Sequence, residues 1–363
     1  MEHHVIRTAG LLVASTLLGW IEGCAVVGPS AIASGRSVYN EVINRTGDEQ
    51  LLNMIVRERY GETFGMLRVA SVTASMKFRG SVGAEFGFGP DSNYAGNLVP
   101  LSAGVAYEEN PTISYAPLGG EAFLTKMLAP ITVEQSILIG QASDRSSLVS
   151  VMIRRINGLE NPALRSGKSS PAFDRVVQIH GILRSKGMLT LARDETSSDS
   201  GDTGYYFIFF DYSSEIDLVR EYLSALGITS IEPDGQDIYL PVRVSIGRPS
   251  HDSVNLELRS VIDIIRDVGA SIDVPAEHVE MGIVDPNLVD LPRADRIIAI
   301  KSSKERPRLA SVAIQAHGYW FYIDATDAGS KEGFGLLRTL IGMRLDATDG
   351  PSQVPVLTIP TGG

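Results

Sequence analysis

The chain has 363 residues, 44% of them apolar and 21% charged, with a formal net charge of −11. It is long enough for two domains around a sizeable core. It is also too acidic to suit nucleic acid or charge-driven attachment to anionic lipid, which need clustered Lys and Arg. Its single cysteine excludes an intrachain disulfide.

The first expected element is a targeting signal. The apolar run that begins at Ala9 is too short to span a bilayer, which takes roughly 20 residues, but has the length of a secretory h-region. It closes on Ile21-Glu22-Gly23-Cys24, which resembles the lipobox of bacterial lipoproteins. That resemblance implies loss of residues 1–23 as a signal peptide and acyl chains on Cys24, with a lipid bilayer as partner of the N-terminus. The other reading of the same residues is a buried N-terminal helix with an incidental cysteine. Removing 1–23 takes away Glu2, Arg7 and Glu22 and leaves −10 on the rest. Ala25 after the cysteine implies the periplasmic face of the outer membrane, because such lipoproteins favour aspartate there when held at the inner membrane. Residues 25–37 are small and polar, so 24–37 is expected to be a lipidated N-terminus and tether.

A helix is expected from near Ser37. It should pause at Thr46-Gly47 and restart on the capping box Thr46-Gly-Asp-Glu49, with Leu51, Leu52, Ile55, Val56 and Tyr60 on its inner face. The period changes at 66–118. Even positions from Ala70 to Phe88 are apolar or small, and the odd ones are polar or glycine. That alternation outruns the usual strand of about 5–6 residues. After Gly89-Pro90-Asp91-Ser92-Asn93 the chain returns through Val99, Leu101, Ala103, Val105 and Tyr107, is interrupted at 108–111, and resumes at Ile113 and Tyr115. This predicts a long β-hairpin, bulged near Glu109. Its face of Val72, Met76, Phe78, Val82, Phe86 and Phe88 is a candidate membrane or subunit contact. The leading expectation is that this face packs on the protein's own helices. In the other, hairpins from several subunits close into a barrel, the only way strands cross lipid.

Helices are expected over 120–128, 132–141, 144–157 and 171–187. The last has Pro171 in its first turn and Phe173, Val176, Val177, His180 and Leu183 along one side. A single histidine on such a face reads as a packed core residue. Residues 157–170 read as a loop, and the Ser-, Asp- and Gly-rich stretch 194–204 as a linker and domain boundary. Beyond it come a strand at 205–210, a helix from Ser213 or Ser214 to Leu226 stopped by Gly227, a strand at 238–246, and a helix at 252–268. A strand at 297–300, a hairpin of 310–316 and 319–324 around His317-Gly318, a helix at 328–345 and a strand at 354–359 complete the chain. The pieces 204–211 and 318–324 are alike, and each precedes a helix. The fold class is therefore α+β: N-terminal helices, a long amphipathic hairpin and a helical segment in 38–193, then a mixed α/β domain in 205–363.

The sequence holds no phosphate-binding loop, nucleophile elbow, His-Glu-x-x-His or Cys-x-x-Cys motif, so no cofactor, metal or catalytic residue is expected. Asp324-Ala-Thr-Asp327-Ala-Gly329 lacks the alternate oxygens of a calcium loop, and Asp327 reads as a helix N-cap. Glu277-His278-Val-Glu280 lacks a second histidine at ligand spacing and reads as a surface loop. His317 has a turn role beside Gly318. The block from Tyr39 to Tyr60, with Ile113-Ser-Tyr-Ala-Pro-Leu-Gly-Gly-Glu121, Arg154-Arg-Ile-Asn-Gly-Leu-Glu-Asn161 and Gly318-Tyr-Trp-Phe-Tyr-Ile-Asp324, resembles a family of proteobacterial outer-membrane lipoproteins without an assigned activity. The resemblance implies a location and no site residues. The expected function is a non-enzymatic scaffold or assembly component of an envelope complex, anchored to the membrane and facing the periplasm, with envelope proteins or its own copies as partners. The alternative is an oligomeric outer-membrane pore or secretion-channel subunit using the hairpin. A hydrolase comes third, without a nucleophile–base pair.

Overall fold

A computed structural model describes residues 24–83, 102–118, 120–143, 150–163, 166, 168, 170–193, 204–244, 249–284, 297–346 and 357–360. The expected α+β class holds, with 45% helix and 26% strand. The chain divides into two units, Met1–Phe64 with Lys126–Asp346 and Gly65–Thr125 with Ala347–Gly363. The smaller unit contains the hairpin, with β1 at Met66–Gly83 and β2 at Ser102–Leu118. They pair antiparallel from Met66↔Leu118 to Gly83↔Ser102. At about 3.4 Å per residue, the 18 residues of β1 reach about 60 Å. The bulge lies between Val69 and Ser71, not near Glu109, which stands in regular register opposite Met76. A short C-terminal strand, Leu357–Pro360, pairs with β2 over 112–115. Among the described residues, this unit supplies no helical layer along the hairpin; its helical residues are the start of α2 (Gly120–Leu128).

The larger unit begins with α1, one helix from Cys24 to Arg59. It takes in both the expected tether and the expected pause. The Thr46 hydroxyl does not cap a new start; it donates back to the carbonyls of Val42 (2.9 Å) and Ile43 (3.1 Å), which lets the helix run through. Gly47 is thus a helix-interior glycine, and a Cβ there meets only Arg338 Nη2, at 3.8 Å. Gly47→Ala should add about 0.5–1 kcal/mol of stability. A raised thermal midpoint checks this, and a lowered one would mean the helix is broken at that point. Leu51, Leu52, Met54, Ile55 and Val56 are buried at the far end of α1.

Six strands form the main sheet: β3 (Ile153–Ile156), β4 (Leu159–Glu160), β5 (Leu189–Arg193), β6 (Tyr205–Phe209), β7 (Ile238–Val244) and β8 (Val254–Leu258). Their order is β4-β3-β8-β7-β6-β5, and only β7 and β8 run parallel. Helices α3 (Val133–Ala142), α4 (Pro171–Ser185) and α5 (Ile216–Ala225) accompany it. Two expected helices are corrected here. Residues 153–156 are a strand because Asn157-Gly158, at φ +43° and +90°, turns the chain straight back into β4. The segment 252–268 divides because Val254, Leu256 and Leu258 alternate into the core, after which Ser260 and Asp263 form a capping box that starts α6 (Val261–Gly269).

The expected domain boundary at 194–204 is corrected too. Strands β5 and β6 pair residue for residue on either side of it, from Leu189↔Phe209 to Arg193↔Tyr205. Residues 194–203 lie outside the described residues. The core crosses that point: Ile179 and Leu183 of α4 share one apolar cluster with Phe209, Tyr222 and Leu240. Cleavage within 194–204 should therefore leave two fragments that elute together on size exclusion. Separate, folded fragments would contradict the shared sheet.

The remaining elements are α7 (Ala276–Glu280), β9 (Lys301–Ser303), β10 (Ala310–Ala316), β11 (Tyr319–Asp324) and α8 (Ala328–Asp346). Strands β10 and β11 form the expected hairpin, with His317 at φ +51° and Gly318 at +79°. The strand expected at 297–300 begins instead at Lys301, and Ile300 makes a single bridge to Ile272. Helix α1 is tied on two sides. Arg338 of α8 reaches Asp48 (2.8 Å) and Asn44 (2.9 Å), and Arg266 of α6 reaches Glu58 (2.7 Å).

Candidate functional site

Helix α4 presents His180 and Arg184 four residues apart, hence on one side. They face a cavity of about 110 Å³ open to water, walled by Ile137 and Gly140 of α3 and by Ile153, Leu191, Phe207 and Leu256 of the sheet. A smaller cavity of about 40 Å³ adjoins it, sharing Ile153, His180 and Phe207 and extending towards Phe173 and Val176. His180 Nδ1 lies 3.2 Å from the Tyr222 hydroxyl, and the imidazole meets the Phe207 ring edge-on at 5.6 Å. Burial, helped by the charge of Arg184, lowers the His180 pKa to about 4, so the imidazole is neutral near pH 7. Burial also raises the Tyr222 hydroxyl, which stays protonated and shares a hydrogen bond with Nδ1.

Arg184 Nη2 donates to the Gly140 carbonyl, one of the last carbonyls of α3 that lack a helical partner. Among the described residues, no carboxylate lines the cavity or pairs with Arg184. The arrangement is one fixed cation and one neutral imidazole in a mostly apolar chamber that Ser136, Gln141 and Thr190 also line. It suits binding. Among the described residues, no carboxylate stands where it would orient His180 as a general base.

A second polar cluster joins three distant segments. Tyr60, just past α1, shares a hydrogen bond between its hydroxyl and His278 Nδ1 at 2.7 Å and stacks on His317 at 4.3 Å. His278 packs edge-on against Tyr319 at 5.0 Å, and Lys304 bridges Glu277 (3.2 Å) and the Tyr319 ring. Burial pushes the Tyr60 hydroxyl up to about 12 and the His278 imidazole down. The expected surface loop at 277–280 is therefore corrected at His278. It is 2% exposed, turned inward by the single turn of α7, while Val279 and Met281 face out. Among the described residues, no three His, Cys, Asp or Glu side chains are grouped to hold a metal ion. This cluster works as a clasp between α1, α7 and the β10–β11 turn. Asp327 takes the Ser330 amide at 3.0 Å at the start of α8, as its N-cap reading expects. Lys301, with Thr326, holds the Asp324 carboxyl well below the usual range.

Cys24 is the first residue of α1. Val72, Met76, Phe78 and Val82 share one face of β1, opposite Ile113, Glu109, Tyr107 and Ala103. Phe86 and Phe88 lie outside the described residues. Arg184 and its cavity were not expected, and their one sequence signal is the i, i+4 spacing of His180 and Arg184. Comparison with protein-family models, with curated proteins and with solved structures returns no match.

Proposed function

We propose that the protein is a lipid-anchored envelope component, held at the periplasmic face of the outer membrane, that builds assemblies through its long hairpin and not by catalysis. The observation that supports this best is that the hairpin, with one short third strand, makes up most of the described residues of a unit of its own. An amphipathic three-stranded sheet needs a second layer over its apolar face. Further copies of the same hairpin can supply it. In the larger unit, α1 runs without a break from Cys24 into the core, about 54 Å at ~1.5 Å per residue. Among the described residues, no helix is long and apolar enough to cross a membrane. The anchor in this reading is the acyl-bearing cysteine. Intact mass of the membrane-extracted protein should show a chain starting at Cys24 plus acyl groups, and Cys24→Ala should be released from membranes. An unmodified chain that keeps residues 1–23 would defeat the anchor.

A pore is the second reading, favoured by strands of 18 and 17 residues, where spanning takes about 9–11. Stepwise conductance of the purified oligomer in planar bilayers would support it. Intact oligomers without conductance would leave the scaffold reading.

A further inference from the structure

We propose that the chamber between α3, α4 and the main sheet binds a medium-chain aliphatic carboxylate, its head group on Arg184 and its chain between Ile153 and Phe207. The site is independent of the assembly role of the hairpin. An apolar cavity of about 150 Å³ holds benzene, so about 110 Å³ encloses on the order of four to five heavy atoms, the head and first carbons of octanoate, and the rest of its chain runs on into the adjoining cavity and the open mouth. The adjoining cavity of about 40 Å³ lies past His180 and Phe207, where a longer chain can continue. The walls favour an apolar ligand body, since the sheet side offers Ile153, Leu191, Phe207 and Leu256 with Thr190 as its one polar side chain, while Ser136 and Gln141 stand on the helix side.

The charge of the ligand follows from Arg184. Its guanidinium carries five donors, and among the described residues it makes one bond, to the Gly140 carbonyl. A carboxylate accepts two parallel bonds from such a fork, and an apolar surround strengthens them. His180 adds no charge of its own near pH 7, because burial keeps it neutral. An amine is repelled by Arg184, and an alcohol forfeits the charge-assisted bond.

Calorimetric titration of the full-length protein in lipid nanodiscs, with empty nanodiscs as blank, decides the matter. Octanoate should bind saturably, one per chain, octan-1-ol at least ~10-fold more weakly, and octylammonium not at all. Arg184→Gln should bring octanoate down to the level of octan-1-ol and leave octan-1-ol unchanged. Leu191→Trp should fill the chamber and abolish binding of both. Equal binding of octanoate and octan-1-ol, absence of saturable octanoate binding, or undiminished octanoate binding by a folded Arg184→Gln protein overturns the proposal. If Arg184→Gln does not fold, the three-ligand comparison on the unmutated protein is decisive by itself.

Discussion

Asp267→Ala should cost about 3–5 kcal/mol, a large part of the 5–15 kcal/mol that holds an ordinary domain together. Asp267 and Arg259 are 2% and 4% exposed and meet at 3.3 Å. Arg259 also donates to the carbonyls of Val151 (2.9 Å), Asn161 (2.7 Å) and Pro162 (3.1 Å). That guanidinium fastens both flanks of the β3–β4 hairpin to the start of α6. Removing Asp267 takes a carboxylate away from a buried cation, and relaxation towards water would pull the hairpin off the sheet edge. Urea unfolding followed by circular dichroism checks the size of the loss. Arg259→Met with Asp267→Leu should recover part of it, because the buried charge is gone, but not all, because three carbonyls lose their donor. A loss below ~1 kcal/mol for Asp267→Ala would show that the pair is open to solvent.

Acidification should be the second large effect. An unfolded histidine titrates near 6.5, whereas His180 in the fold is held down at about 4. The folded state therefore resists protonation. The stability this histidine contributes is complete above about pH 6.5 and is lost as the pH falls through 4. The gap amounts to roughly 3 kcal/mol. His278 is lowered for the same first reason, burial, and acts in the same direction. His180→Gln keeps a hydrogen-bonding group for Tyr222 without a titrating ring. Its stability should fall less steeply between pH 6.5 and 4 than that of the unmutated protein. Parallel curves for the two would mean that His180 is hydrated.

Sequence periodicity was enough for the elements whose pattern is long or carries its own stop signal. The alternation from Ala70 onward became β1, Pro171 opened α4, and Gly227, at φ +70°, closed the turn after α5. It failed on short apolar runs, where strand and helix look alike until a turn or cap is recognised. Asn157-Gly158 and the Ser260–Asp263 box were those signals, at the two places where helices were expected and strands formed. Thr46 failed in the opposite sense: a capping-box residue used its hydroxyl on the preceding turn. The polar stretch at 194–204 looked like a boundary because a long hairpin connection and a domain linker share a composition. What separates them is pairing of the flanking strands, which is not local.

The candidate site was less legible for the same reason. His180 is visible as a histidine on an apolar face, but its cavity requires Gly140, Ile153 and Leu256 to converge from α3, β3 and β8. The Tyr60–His278 bond joins residues 218 positions apart, a distance no spacing rule reaches.

Oligomer size of the membrane-extracted protein in mild detergent, before and after Phe78→Asp, tests the assembly role of the hairpin most directly. Phe78 stands mid-strand on β1, opposite Tyr107, on the face with Met76 and Val82. The unmutated protein should run as a discrete oligomer by native mass spectrometry. Phe78→Asp should give monomers whose larger unit melts at an unchanged temperature, because an unpaired charge on that face blocks burial against a neighbour. A monomeric unmutated protein would contradict the assembly role, as would a Phe78→Asp protein that unfolds throughout.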